Sequence, residues 1–201
     1  SSFKENENYY LSGLYQFNSS LPLIKDSINY QKLLKPKISL KVSPNHTKNM
    51  GSSDNRLDVN NLFSLNRIAA SDTLEGGVSL AYGNDFSILN KKNTKEIFSL
   101  KLANNLRLSD NDNLQTQNQI GQKTSNFFSE LMYSPNDFII ANYKNSLKNN
   151  LTDISYENLN LEFSINNFVT TFDYLNENDT KDKNSYLKST ARYKMSDTNS
   201  I

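Results

Sequence analysis

The stretch Asp58 to Gly83 reads D-V-N-N-L-F-S-L-N-R-I-A-A-S-D-T-L-E-G-G-V-S-L-A-Y-G and changes character half way along. From Asn61 to Glu75 its apolar residues are mixed with Arg67, Asp72 and Glu75 without a period of two, so this half reads as a shaped loop. After Gly76-Gly77, the residues Val78, Leu80 and Tyr82 alternate with Ser79, Ala81 and Gly83, the pattern of a half-buried strand. The glycine pair lacks the strand-to-helix setting of a phosphate-binding turn and reads as a bend or bulge. A charged loop, closed by glycines and feeding an alternating strand, belongs to an all-β protein.

The same alternation recurs on both sides of this stretch. Tyr9, Leu11, Gly13, Tyr15 and Phe17 share one face, and Ile38, Leu40 and Val42 face away from Lys37, Ser39, Lys41 and Ser43 until Pro44-Asn45 stops the run. Downstream, Phe98, Leu100 and Leu102 alternate with polar neighbours as far as Leu106 or Leu108. Phe127 to Tyr133 returns as Phe138 to Tyr143 across Ser134 to Asp137, and Leu159 to Ile165 returns as Phe168 to Tyr174 across Asn166-Asn167, a dipeptide that tolerates positive φ. A last strand carries Leu187, Ala191, Tyr193 and Met195 on one face. Between them, Pro22 with Lys25 to Asn29 reads as a short connection, and Gly83-Asn84-Asp85 and Asn90 to Asn93 as turns. Asn45 to Asn60 reads as a long exposed loop, Asp110 to Ser125 as loop or flexible, and Lys144 to Asp153 and Asn176 to Asn184 as polar separators. This predicts eight to ten antiparallel strands with short turns on one side and long loops on the other, the plan of an outer-membrane barrel. A soluble sandwich produces the same alternation, and periodicity admits both.

Composition narrows the class. Hydrophobic residues are 36% of the chain, mean hydropathy is −0.68 and Asn makes up about a sixth, yet 11 Tyr and 11 Phe sit at regular alternation. Disordered chains are poor in aromatics, so the polar excess belongs to ordered strands with one wet face. Lys+Arg 22 against Asp+Glu 21 leaves no basic footprint for nucleic acid. No run of about 18 apolar residues marks a transmembrane helix, while membrane-crossing strands need only about 9–11 residues, half of them polar. With no cysteine, disulfides and thiolate chemistry are excluded. Ser1 opens without a signal sequence, which suggests an internal fragment.

No residue set reads as catalytic, metal-binding or cofactor-binding. His46, the only histidine, lies in a polar loop without a catalytic partner. Asp54, Asp58, Asp72 and Glu75 match no metal-loop spacing and read as loop residues. Arg67 stands inside an apolar loop, where an arginine is usually held by carboxylates, so Asp72 or Glu75 is expected to pair with it and fold the loop back on a barrel mouth or lumen. The candidate lumen-facing charges are Lys37, Lys41, Lys101 and Glu162, with Glu130, Lys188, Arg192 and Lys194 in the same phase. Tyr9, Phe17, Tyr82, Tyr133 and Tyr174 are candidates for an interfacial girdle.

The order Asn61-Leu62-Phe63, Arg67, Asp72, Glu75-Gly76-Gly77 and Tyr82-Gly83 resembles the lipopolysaccharide-assembly outer-membrane protein family (LptD, also called OstA or Imp). Leu21-Pro22-Leu23 and Leu34-Lys35-Pro36-Lys37 resemble that family's strand-leading segments, with Lys35 where an acidic residue is usual. The motifs are specific from Leu21 to Gly83; elsewhere the likeness is a rhythm of strands. The resemblance implies an all-β, antiparallel up-and-down transmembrane β-barrel, of which residues 1–201 form a partial wall, with the N-terminal periplasmic domain and the closing strands outside it. It implies a bacterial outer-membrane location and non-covalent transport without enzymatic chemistry. In that transport, lipopolysaccharide sugars and phosphates pass along a polar lumen, and acyl chains leave through a seam between the first and last strands. The implied partners are lipopolysaccharide, an LptE-like lipoprotein plug, and an LptA-like periplasmic bridge protein docked on the N-terminal domain. From the residues alone, another outer-membrane barrel (porin or receptor) and a soluble surface β-sandwich adhesin stay open.

Overall fold

A strand whose side chains alternate at a period of two has two unlike faces, and a sheet of such strands sorts them into two surfaces. The computed structural model describes residues 12–44, 47–51, 55–178 and 183–193. Among these, the regular elements are β1 Tyr15–Ser20, β2 Leu23–Asp26, β3 Tyr30–Ser43, β4 Gly77–Asn90, β5 Lys95–Arg107, β6 Phe127–Tyr133, β7 Ile139–Leu147, β8 Ile154–Ile165, β9 Phe168–Glu177 and β10 Asn184–Tyr193. All join one antiparallel sheet in the order β1-β3-β4-β5-β6-β7-β8-β9-β10, with β2 also on β3. The order in space is the order in sequence, so the fold is an up-and-down partial barrel wall, and the described strands do not close on themselves.

The turns 27–29, 91–94, 134–138 and 166–167 all lie at one end of the sheet. The loops 44–76 and 108–126 lie at the other, beside the shorter 148–153. Asn166 takes a φ of 52°, so the two-residue turn that the Asn-Asn pair predicts is present.

Burial along the strands is the reverse of a water-soluble protein's. On β3, Ile38, Leu40 and Val42 are exposed, Leu40 at 40%, whereas Ser39, Lys41 and Ser43 are buried, Lys41 at 2%. Register carries this division across the wall: Leu40 faces Leu80, which faces Leu106, and Lys41 faces Ser79, which faces Arg107. One surface is therefore a bare apolar face, with edge-to-face pairs between Phe86 and Phe98 at 5.9 Å and between Phe163 and Phe172 at 6.3 Å. The other surface is polar and lies under the two long loops. A sandwich needs a second sheet on the apolar face, and among the described residues none is there. Exposed Tyr30, Tyr133, Phe168 and Tyr193 stand toward the short-turn end of the bare face.

The apolar core lies between loops and wall. Leu57, Val59, Leu62 and Ile68 of one loop and Leu114 and Ile120 of the other pack with Ala81, Ala103 and Phe128 of the strands. This sharpens two sequence expectations. The expected exposed loop Asn45 to Asn60 has Leu57 and Val59 buried among its described residues, and Asp110 to Ser125 is the loop expected, with Leu114, Gln115 and Ile120 buried in it. Their apolar residues have no period because they belong to neither helix nor strand.

Gly83-Asn84-Asp85 is not a turn but the middle of β4, and Tyr82 is therefore mid-strand rather than at a strand end. Lys25 and Asp26 belong to β2, not to a connection. β1 and β2 lie end to end along β3 in one register, broken only at Leu21-Pro22, where the Leu21 amide still donates to the Pro36 carbonyl at 3.1 Å. Pro36 has no amide to return that bond, and Pro22 stands on the edge strand with its nitrogen turned away from β3. Tyr9 and Leu11 lie outside the described residues.

Candidate functional site

Loop 44–76 leaves β3, crosses the covered face and returns to β4. Its tip is fixed by two reciprocal bonds: the Asp58 amide donates to Asn61 Oδ1 at 2.8 Å, and the Asn61 amide donates to Asp58 Oδ1 at 2.9 Å. That turn sets Leu62 into the core and Phe63 against the wall. The Phe63 ring stacks 4.5 Å from Lys37 Nζ, and its carbonyl accepts from Gln16 Nε2 at 2.7 Å. Gly83 lies under the same ring. A Cβ there would stand 2.5 Å from the Leu102 carbonyl oxygen and 3.1 Å from Phe63 Cζ. Gly83→Ala is expected to lower stability by about 1–3 kcal/mol through overpacking, read as a lower urea midpoint of the folded full-length protein.

Glu75 is the centre of the site. Arg67 donates to it from Nε (to Oε2, 2.7 Å) and from Nη2 (to Oε1, 2.5 Å). Arg107 of β5 donates from Nη1 to Oε1 at 2.7 Å, and Lys41 Nζ of β3 stands 3.7 Å from Oε2. Thus three cations and one carboxylate are buried together. The surplus donors turn to oxygen dipoles: Lys41 Nζ to the Ser64 and Leu65 carbonyls at 2.5 and 3.1 Å, Arg67 Nη1 to the Leu62 carbonyl and Asn105 Oδ1 at 3.2 and 2.9 Å, Arg67 Nη2 to Ser79 Oγ at 2.9 Å, and Arg107 Nη2 to the Gly76 carbonyl. The cluster bolts the loop to β3, β4 and β5 at once. Gly77, at φ 91°, lets the chain turn here, and a Cβ would sit 2.8 Å from Arg107 Nη2.

Burial pushes the Glu75 carboxyl up, but the guanidinium of Arg67 foremost, with Lys41 and Arg107, outweighs it and holds the group at about 2. A carboxyl held below its unfolded value, about 4.3 for glutamate, stabilises the fold above that value and loses its contribution as pH falls toward the folded one. The stability gap between the wild type and Glu75→Gln is therefore expected to be full at pH 6 and to shrink as pH falls from about 4.3 to about 2, followed by urea midpoints. A gap that does not change across this window would place no ionised carboxylate in the cage.

The second loop braces the first. The Met50 amide donates to the Asn113 carbonyl at 2.7 Å, and Asn118 Nδ2 donates to the Asn55 carbonyl at 2.8 Å. On the far side Arg56 pairs with Glu177 of β9 and stacks 4.1 Å over Tyr156 of β8. Loop 44–76 thereby spans the covered face from β3 to β9.

Beside the loop, Lys35, Asp85, Lys101, Glu130 and Lys144 face one another across five successive strands, a row of alternating sign. Glu130 pairs with Lys101 at 3.1 Å and Lys144 at 3.5 Å, and Lys37 reaches Asp85 at 2.9 Å. Asn60 of the loop joins the row by donating to Glu130 at 3.1 Å.

The structure thus gathers Asn61, Leu62, Phe63, Arg67, Glu75, Gly76, Gly77 and Gly83 with Lys37, Lys41 and Lys101 on the covered face. Asp72 is not in the cluster: it is exposed and pairs with Lys48 at 2.7 Å, so of the two acids expected for Arg67 it is Glu75 that binds. Tyr82 shares the bare face with Leu40 and Leu80. Glu162 has the phase of the polar face on β8 and accepts from Ser164 Oγ at 3.4 Å, away from the cluster. His46, Asp54 and Lys194 lie outside the described residues. Among those residues no group of three His, Cys, Asp or Glu is placed to hold a metal ion. Arg107, Asn105 and Arg56 carry no sequence signal for their roles, which depend on strand register.

Compared with known proteins, the model of the family LptD, LPS transport system D, matches residues 3–199. The chain belongs to the LptD family. LptD proteins serve lipopolysaccharide transport and are an outer-membrane family, in keeping with the strand-built wall. No curated protein matches the chain. The LptD match takes in the loop, the cage and every described strand.

Proposed function

We propose that this chain is a section of barrel wall in an outer-membrane translocon that inserts lipopolysaccharide into the outer leaflet. The observation that carries the reading is the inverted burial of β3 and β4, apolar outward and polar inward, in a chain of this family. The bare face meets acyl chains and the covered face lines the lumen, with short turns toward the periplasm and long loops outward. Sugars and phosphates slide past the alternating charges of β3 to β7, which offer both donors and acceptors, while acyl chains stay in lipid. No bond is made or broken. Loop 44–76 narrows the lumen as a fixed fitting. An LptE-like lipoprotein inside the barrel and an LptA-like bridge protein on a periplasmic domain are the partners this reading assigns.

Depletion of the full-length gene product is expected to stop newly made lipopolysaccharide from reaching the cell surface, scored by surface labelling. Normal arrival with a heat-modifiable barrel in the outer membrane would favour a porin or receptor. A soluble product without heat-modifiable migration would overturn both membrane readings.

A further inference from the structure

Two lysines stand directly opposite each other on the bare face. Lys25 of β2 is in register with Lys32 of β3, and both are exposed. Neither has an ion-pair partner among the described residues. The adjacent Asp26 has the opposite phase and is occupied by Gln31 at 3.1 Å and Lys91 at 3.0 Å. Like charges facing each other across a ladder repel, and a lysine costs more on a surface turned to lipid.

Their position explains how such a pair is tolerated. The row continues to Ile88 and Phe98, the next row inward is Leu23, Leu34, Phe86 and Leu100, and the next bare-face residue outward on β3 is Tyr30. The lysines therefore sit where the apolar face ends, at the short-turn end. Tyrosines favour the headgroup level of a bilayer, and lysine stems lie along apolar surface while their ammonium groups reach toward the headgroups. An anion between the two ammonium groups would turn mutual repulsion into shared attraction.

We propose that Lys25 and Lys32 bind the headgroup phosphate of an anionic glycerophospholipid in the leaflet at the short-turn end. The site rests on the reading that the bare face meets lipid. A zwitterionic headgroup offers the same phosphate but brings a cation that competes with the lysines, so the preference is for the anionic class.

The test uses full-length protein reconstituted in phosphatidylcholine vesicles with a minority of phosphatidylglycerol, extracted gently, its retained lipid identified by mass spectrometry. Phosphatidylglycerol is expected to be enriched over the bulk mixture. Lys32→Gln should lower the relative affinity about fivefold, Lys25→Gln/Lys32→Gln should return it to the bulk proportion, and Lys25→Arg/Lys32→Arg should keep it. On the unaltered protein, salt at about 1 M, where charges are screened beyond about 3 Å, should abolish the enrichment. No enrichment in a heat-modifiable wild type, or enrichment unchanged in Lys25→Gln/Lys32→Gln or in high salt, overturns the site and leaves the barrel reading intact. A wild type without heat-modifiable migration overturns both.

Discussion

Glu75→Gln is expected to cost the folded protein about 3–5 kcal/mol, the range for breaking a buried ion pair by removing one partner. The substitution keeps the shape and one acceptor, but it leaves Arg67, Arg107 and Lys41 buried with no counter-charge within the cage. Two of these cations belong to the wall and cannot leave it, so relief comes by the loop undocking and water entering. The expected signs are a lowered urea midpoint and new protease cleavage within 44–76. Arg67→Met alone removes one surplus cation and is expected to cost less. A double-mutant cycle on Arg67 and Glu75 should show coupling of the order of 1–3 kcal/mol or more. A cycle without coupling would mean that the 2.5 and 2.7 Å contacts between them do not hold the loop.

Leu40→Arg should cost about 2–4 kcal/mol in a lipid bilayer if β3 lies near the midplane, the range measured for such charges on the outward face of a barrel. In water the same change would be nearly neutral, because Leu40 is already 40% exposed and a surface substitution away from special features stays within about 0.5 kcal/mol. The size of the effect, taken from unfolding out of vesicles, therefore reports which solvent the bare face meets. Lys41→Leu, one residue along, tests the opposite face: it removes a buried cation whose ammonium caps the Ser64 and Leu65 carbonyls. A wall in lipid predicts losses at both positions for opposite reasons.

The strands were legible because alternation is a local property. Lys37 to Ser43, Leu159 to Ile165 and Phe168 to Tyr174 all announce their two faces, and the chemistry of Asn166-Asn167 announces the turn between the last two. Which face is buried was not legible, since a period of two is the same in a sandwich and in a barrel. Within the loop, the pairing of Arg67 with an acid a few residues on could be foreseen, but Lys41 and Arg107 reach Glu75, and Asn105 reaches Arg67, through the registers of β3, β4 and β5, and no spacing in the chain encodes that meeting. The burial within the long loops was hidden for a related reason. Leu57, Val59, Leu62 and Ile68 are apolar without rhythm, and irregular spacing looks like exposure until a wall is there to receive them. Gly83 gave a false turn signal because its missing side chain serves Phe63, not a bend.

The reach of loop 44–76 bears on the order in which the protein is assembled. Its contacts with β3, β4 and β5 are to strands close by in the chain, whereas Tyr156 and Glu177 are separated from Arg56 by most of the wall. Contacts between distant residues form late because the intervening chain must first be ordered. Strands β3 to β5 can therefore take hold of the Glu75 end while Arg56 still waits for β8 and β9. Until those strands arrive, the loop hangs by one side, and a chain halted at that stage would present the apolar residues Leu57 and Val59 to chaperones and proteases.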